Sequence, residues 1–294
     1  MKAPAFDYLR ASSIEEALTV LREHGADAKV IAGGQSLMPA LNMRLVMPRL
    51  LVDIGGLAEL RGVDVQGDTV AIGAMTRHVE LERSEAIRRH VPLLSRAMAH
   101  VGYPAIRNRG TFGGSMANAD PIWNLPACAL ALGAVMVARS ADRERRILSD
   151  EFFLGHCRTV LGPDEVLVRV EVPADGAMHR VAFHKLGRHL GVIMGVAARA
   201  EVIDGVCRSL RLAWFGIGEK PTLAVEAAEA FVGAPPDEAA VERAVAALSE
   251  DLKPQEDLRG SASMRSHLAR VLLRRTAADL FPELLGEARQ EATA

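Results

Sequence analysis

The chain has 294 residues, 49% of them hydrophobic and 24% charged, and a formal net charge of −2. That length exceeds one ordinary core and predicts two or three lobes of a soluble globular protein. The near-neutral balance offers no basic field for nucleic acid, and no apolar run approaches the length of a membrane span.

The elements follow from hydrophobic spacing. Ser12 or Ser13 with Glu15 and Glu16 marks a helix N-terminus; Ile14, Ala17, Leu18 and Leu21 then recur at helical period until Gly25. Lys29 to Ala32 is a short strand that runs directly into Gly33-Gly34, and Pro39 to Met43 begins a helix. Leu50 to Ile54 is another strand. Val63 to Thr76 reads as a hairpin turning at Gly67-Asp68. Helices are predicted at about 78–89 and 92–101, the second opened by Pro92. Leu125 to Leu132 is apolar enough for a buried helix. Strands follow at Ala134 to Ala138, Glu165 to Val172, Arg180 to Leu186, Val192 to Ile203 and Val206 to Gly216, the last two joined by the hairpin signal Asp204-Gly205. From Thr222 alanine and glutamate dominate, and helices are predicted at about 222–232, 237–249 and 262–280.

Between these elements lies Arg107 to Pro121, which packs three glycines, two arginines and several small hydroxyl and amide residues into a segment with little to bury. Ala32-Gly33-Gly34-Gln35-Ser36-Leu37 is of the same kind. Glycines let backbone N–H groups converge on an anion, and hydroxyls and arginines add donors, so the pair of segments points to a phosphate-bearing ligand. Neither fits the G-x-G-x-x-G fingerprint of dinucleotide folds, and neither ends in the Gly-Lys-Ser/Thr of a P-loop. No G-x-S-x-G elbow, H-E-x-x-H pair or other metal spacing appears. His78 and His100 begin and end helical segments, where capping is a sufficient role; His184 and His189 are read as solvated or packed. Cys128, Cys157 and Cys207 are odd in number and far apart, and are read as buried thiols; four ligands for an iron–sulfur cluster are lacking.

Three blocks in order, Ala32 to Leu37, Ile72-Gly73-Ala74-Met75-Thr76-Arg77-His78 and Arg107 to Pro121, resemble those of the FAD-binding medium subunit of the molybdenum hydroxylases, the carbon monoxide dehydrogenase and xanthine dehydrogenase family. The resemblance covers essentially the whole chain. It implies an α+β fold: a two-lobed, PCMH-type FAD-binding domain over residues 1–176, with lobes about 1–57 and 58–176. A C-terminal domain over 177–285, with a three-stranded antiparallel sheet and a three-helix bundle, and a frayed tail at 286–294 would follow. It implies that Ala32, Gly33, Gly34, Gln35, Ser36 and Leu37 wrap the FAD pyrophosphate. Thr111, Gly113, Gly114 and Ser115 would do so from the other lobe. Ile72, Thr76, Asn118 and Asp120 belong to the same expected site. Asn124 stands where the family has an Asp at the adenosine end; Leu167 matches an apolar residue by the flavin and Lys185 a basic position near it. Tyr103 or Trp123 is expected to border the flavin or a partner subunit.

The role implied is electron transfer, with no catalytic acid or base in this chain and no metal held by it. Partners would be a large subunit with a molybdenum–pterin cofactor and a small one with two [2Fe–2S] clusters, assembled as a dimer of heterotrimers. The external acceptor would be NAD, a quinone or a cytochrome. With no secretory signal in Met1 to Asp7, the expected location is the cytoplasm, with membrane association only through a partner. A self-contained FAD oxidoreductase and a flavin-free scaffold subunit stand as alternatives.

Overall fold

The computed structural model describes residues 2–188 and 191–284. The expected tail from 286 and His189 lie outside them. In chain order the chain forms β1 (Asp7–Arg10), α1 (Ile14–His24), β2 (Ala28–Ile31), α2 (Leu37–Asn42), β3 (Leu50–Asp53), β4 (Val63–Gln66) and β5 (Thr69–Gly73). Then come α3 (His78–Arg83), α4 (Glu85–His90), α5 (Pro92–Met98), α6 (Pro104–Arg107), α7 (Phe112–Asn118) and α8 (Asn124–Leu132). These lead to β6 (Val135–Arg139), β7 (Glu144–Leu148), α9 (Ser149–Phe152), β8 (Phe153–Gly155), β9 (Arg158–Thr159) and β10 (Val166–Pro173). The C-terminal elements are β11 (His179–Arg188), β12 (Gly191–Ile203), β13 (Val206–Phe215), β14 (Thr222–Leu223), α10 (Val225–Glu229), α11 (Glu238–Asp251) and α12 (Ala262–Leu280).

Chain contacts divide these elements into two compact units. The first comprises Met1–Arg88, Val101–Ala119 and Ala134–Ala174; the second comprises Arg89–His100, Asp120–Gly133 and Asp175–Ala294. The first unit holds a parallel sheet of order β1-β3-β2 and an antiparallel sheet of order β4-β5-β10-β6-β7. Helix α1 starts where Ser13 accepts a hydrogen bond from the Glu16 amide, and it stops at Gly25 with φ 52°. Its buried stripe of Ile14, Ala17, Leu18 and Leu21 lies on the parallel sheet. Val137, Val166 and Val168 of the larger sheet join the same core, so one apolar interior ties the two sheets together. Each large aliphatic side chain so buried contributes about 2 kcal/mol.

The second unit is a sheet of order β11-β12-β13-β14. Residues Asp204 and Gly205 turn β12 into β13 with φ 51° and 75°, the two positive values a tight hairpin requires. One sheet face, with Ala182, Met194, Val196, Leu212 and Trp214, packs on α10, α11 and α12. The alternate residues face the other way, where α5 and α8 pack on the sheet. Every residue of α8 is buried, as an all-round apolar helix must be.

Several expectations change. The single helix predicted at 78–89 is two: Ser84 is extended, and its hydroxyl accepts from the Ile87 amide, starting α4. The helix predicted at 222–232 shrinks to α10, because Thr222 and Leu223 instead pair with Trp214 and Ala213 as a fourth, short strand. The segment from Arg107 is not one irregular loop. Thr111 caps α7 by accepting from the Gly114 amide at 3.2 Å, and Ala119 ends it in the left-handed region. Strands β1 and β7 escaped sequence reading; they are edges of their sheets with mostly exposed residues. Cys128 and Cys207 are buried as expected, but Cys157 is exposed, in a turn with φ 51°.

Candidate cofactor site

The first glycine segment leaves β2 and enters α2. Gly34 takes φ 72°, a conformation that reverses the direction of successive amides and that side chains resist. Among the described residues, the amides from Ala32 to Ser36 donate to no backbone or side-chain acceptor. The Gln35 side chain donates to the Gly33 carbonyl at 3.1 Å. The Ser36 hydroxyl is exposed and makes no capping bond. Leu37 is half-buried and opens α2.

The second segment touches the first. A Cβ on Gly33 would lie 2.1 Å from the Arg109 carbonyl oxygen and 3.0 Å from the Gly110 Cα. So hydrogen at Gly33 is what lets the two backbones meet. A cavity of about 390 Å³ opens there, lined by Gly33, Gly34, Gln35, Met38 and Arg109 among others. Arg109 is exposed, whereas Arg107 is engaged with Glu82 at 2.9 Å and with the carbonyls of Val101 and Gly102. Of the two arginines expected to add donors, then, Arg109 is the one presented at the cavity.

The donors of the second segment are spent differently from expectation. The Gly113 amide donates to the Ala74 carbonyl at 2.8 Å, that of Gly114 to the Thr111 hydroxyl, and that of Ser115 to the Thr111 carbonyl. A Cβ on Gly113 would sit 2.4 Å from the Ala74 Cβ, so this glycine allows α7 to lie on the end of β5. In this structure these amides are engaged within the chain and frame the start of α7. The Ser115 side chain remains half-buried, and Asn118 ends α7 half-buried with no side-chain partner among the described residues.

His78 is the residue that sequence reasoning missed. Its position at the start of α3 reads as a cap, yet its ring is buried beneath the second segment. Its Nε2 lies 3.0 Å from the Thr111 carbonyl oxygen and 3.1 Å from the Ser115 Oγ. Burial pushes the imidazole down to about 4, only partly offset by the bond to Thr111. No local sequence signal announces a contact across that separation.

Other expected positions are occupied by the protein itself. Ile72 has no exposed surface; it sits within β5 between Val63 and Val170. The buried Thr76 hydroxyl both accepts from the Gly62 amide and donates to the Gly62 carbonyl, so its proton is already used within the chain. Leu167 is buried in β10 at the point where the ladder with β6 shifts register.

Asp120, Asn124 and Lys185 belong to the second unit. The Asp120 carboxylate accepts from the Ile122 amide. Asn124 is buried and donates to the Ala97 carbonyl at 3.0 Å, joining α8 to α5, a bond that a carboxylate could not make. Lys185 is half-buried, and its ammonium donates to the His100 carbonyl at 2.9 Å; burial pushes its pKa down. Tyr103 is exposed in the first unit and Trp123 half-buried in the second.

The geometry of the first unit fits a dinucleotide pyrophosphate. Unpaired neutral amides and a free hydroxyl, with Arg109 lining the same cavity, supply dense donors with little fixed charge. No helix among the described residues is long and apolar enough to cross a membrane.

Comparison with known proteins agrees. The family described as the FAD binding domain in molybdopterin dehydrogenase matches residues 4–175, and the CO dehydrogenase flavoprotein C-terminal domain matches residues 184–280. The 6-hydroxypseudooxynicotine dehydrogenase complex subunit alpha of Paenarthrobacter nicotinovorans is 39% identical over 95% of each chain. The structure of carbon monoxide dehydrogenase from Hydrogenophaga pseudoflava superposes with a TM-score of 0.93 at 35% identity, covering 96% of this chain and 99% of the other. Quinoline 2-oxidoreductase from Pseudomonas putida 86 gives 0.90 at 35% identity, covering 97% and 99%. With both family domains present in order and full-length relatives on either side, this chain belongs to the FAD-binding medium subunits of the molybdenum hydroxylases and is an oxidoreductase subunit.

Proposed function

We propose that this chain is the electron-transfer subunit of a heterotrimeric molybdenum hydroxylase. It would work beside a large subunit holding the molybdenum–pterin cofactor and a small subunit holding two [2Fe–2S] clusters. The observation that carries the reading is the run of unpaired amides from Ala32 to Ser36. Buried or half-buried backbone donors are costly to leave unmade, so a segment that holds several together is built for an acceptor from outside the chain. The relatives' description as subunits of dehydrogenase complexes supports the partners.

FAD, when bound, supplies the redox chemistry, accepting electrons singly from a cluster and passing two together to an acceptor such as NAD, a quinone or a cytochrome. The protein's part is holding and orienting. Ala32 to Ser36 grip the pyrophosphate, Gly33 brings the second segment to it, and Thr111, Gly113 and Gly114 keep α7 in register behind it. Ser115, Asn118 and Arg109 are placed to add side-chain donors.

The test is the visible spectrum of the purified chain, alone and co-expressed with a large molybdopterin protein and a small cysteine-rich one, followed by acid release of the chromophore. Flavin as FAD near one per chain, with cluster absorbance only in the co-expressed sample, is the expected result. Turnover of a substrate by the isolated flavoprotein would instead make it a self-contained enzyme. Absence of flavin from both samples would refute the reading.

A further inference from the structure

We propose that His78 is a positioning residue. Held as the neutral Nε2–H tautomer, it fixes the Thr111 carbonyl and aims the Ser115 hydroxyl proton outward as a donor to the cofactor phosphates. The proposal rests on the assignment of the site to FAD.

The argument starts from what the ring can bond. Its Nε2 faces two oxygens, the Thr111 carbonyl at 3.0 Å and the Ser115 Oγ at 3.1 Å. A carbonyl can only accept, so Nε2 must carry the proton. Ser115 Oγ then cannot donate to that nitrogen and is left as an acceptor of the same N–H. Its own proton is free to point elsewhere. The opposite tautomer would face a lone pair against the Thr111 oxygen and leave a buried Nδ1–H with no acceptor, since Nδ1 has no partner among the described residues. Nδ1 is unpaired in either tautomer, so the choice is made at Nε2, where only an N–H can bond the Thr111 carbonyl.

Two further contacts and burial hold the ring. The His78 amide donates to the Gly110 carbonyl at 3.0 Å. Gly110 lies against the ring, where a Cβ would come within 2.9 Å of both Cε1 and Nδ1. The ring is 4% exposed, so it cannot swing into water. Protonation is opposed from both sides: burial disfavours the cation, and Arg107 on α6, the one charged group acting on the ring among the described residues, repels it. Arg107 is itself paired with Glu82 on α3.

The test uses the full chain and FAD as the probe. His78→Gln places an amide donor near the Nε2 position, whereas His78→Leu removes it; Ser115→Ala removes the proposed donor. FAD affinity is expected to fall about tenfold in His78→Leu and Ser115→Ala and to stay within about threefold of wild type in His78→Gln. Ser115→Ala in the His78→Leu background should cost little more. Nitrogen-15 spectra of the histidine-labelled flavin-free chain should show the Nε2–H tautomer persisting at pH 5.5. Independent losses in the double variant, His78→Gln as weak as His78→Leu, or the Nδ1–H tautomer would each overturn the proposal. A wild-type chain that takes up no FAD would refute the functional assignment itself, while the tautomer spectrum still decides the bonding of His78.

Discussion

Gly33→Ala isolates the contact between the two glycine segments. The added Cβ would meet the Arg109 carbonyl oxygen at 2.1 Å and its carbon at 2.8 Å, where ordinary contact begins near 3.4 Å. Both neighbours are backbone, so relief requires the segments to part by about an ångström. Overpacking of this kind costs about 1–3 kcal/mol. If it falls on the geometry that grips the pyrophosphate, FAD affinity drops roughly 5- to 150-fold. Two other glycines calibrate the result. Gly34→Ala meets the Met38 side chain at 3.4 Å and that of Ile31 at 3.6 Å, both ordinary contacts, and its cost comes from φ 72°, about 1–2 kcal/mol of backbone strain. Gly205→Ala carries the same strain at φ 75° in the β12–β13 turn with nothing within 4 Å. The assay is a titration of the flavin-free chain with FAD, read by flavin fluorescence, with a thermal melt of each variant. Gly205→Ala should lower the melting temperature and leave FAD affinity alone; Gly33→Ala should weaken FAD most. A Gly33→Ala chain that binds FAD within twofold of wild type, or a Gly205→Ala chain that loses as much, refutes the reasoning.

The buried neutral His78 makes stability acid-sensitive: the unfolded imidazole titrates near 6.5 and the folded one near 4, so stability is full above pH 6.5 and declines as pH falls toward 4. Urea unfolding at pH 7 and pH 4 should show wild type losing on the order of 3 kcal/mol more than His78→Gln; parallel losses would contradict it. Asn124→Asp replaces the donor to the Ala97 carbonyl by a buried acceptor, and should cost about 1–3 kcal/mol in the urea midpoint of the flavin-free chain at pH 7. A thiol reagent should modify Cys157 rapidly in the native chain and reach Cys128 and Cys207 only on unfolding, because burial pushes the latter two thiols up, Cys207 to about 11. Cys157→Ser should remove the fast phase.

What the sequence made legible was set by local rules. Ser13 and Gly25 bound α1 because a cap and a positive φ act within a few residues of their own position. Asp204-Gly205 marks its hairpin for the same reason, and β12 and β13 show because they are buried on both faces. Strand β7, Glu144–Leu148, has little apolar period to read, since its side chains are mostly exposed and several are charged. The glycine segments were recognisable as a pair, but their division of labour was not. In both, glycine permits close approach; what differs is where the amides go, and that depends on tertiary partners. Ala74 takes the Gly113 amide and Thr111 the next two, while no acceptor among the described residues takes those from Ala32 to Ser36.

On the proposed assignment of the site to FAD, that difference gives the two segments complementary tasks. A phosphate grip needs donors that are free, and it needs them held still before the ligand arrives, since ordering them on binding would consume affinity. The first segment supplies the free donors. The second supplies the rigidity: its amides are closed on the protein, its backbone rests on Gly33, and its carbonyl at Thr111 is tied to a buried ring. A substitution in the first segment should therefore act on affinity with modest cost to stability. One that loosens the second should lower both together, so that plotting FAD affinity against melting temperature for Ser36→Ala and Gly113→Ala separates donors from frame. If both variants fall on one line, the segments share a single role and the division fails.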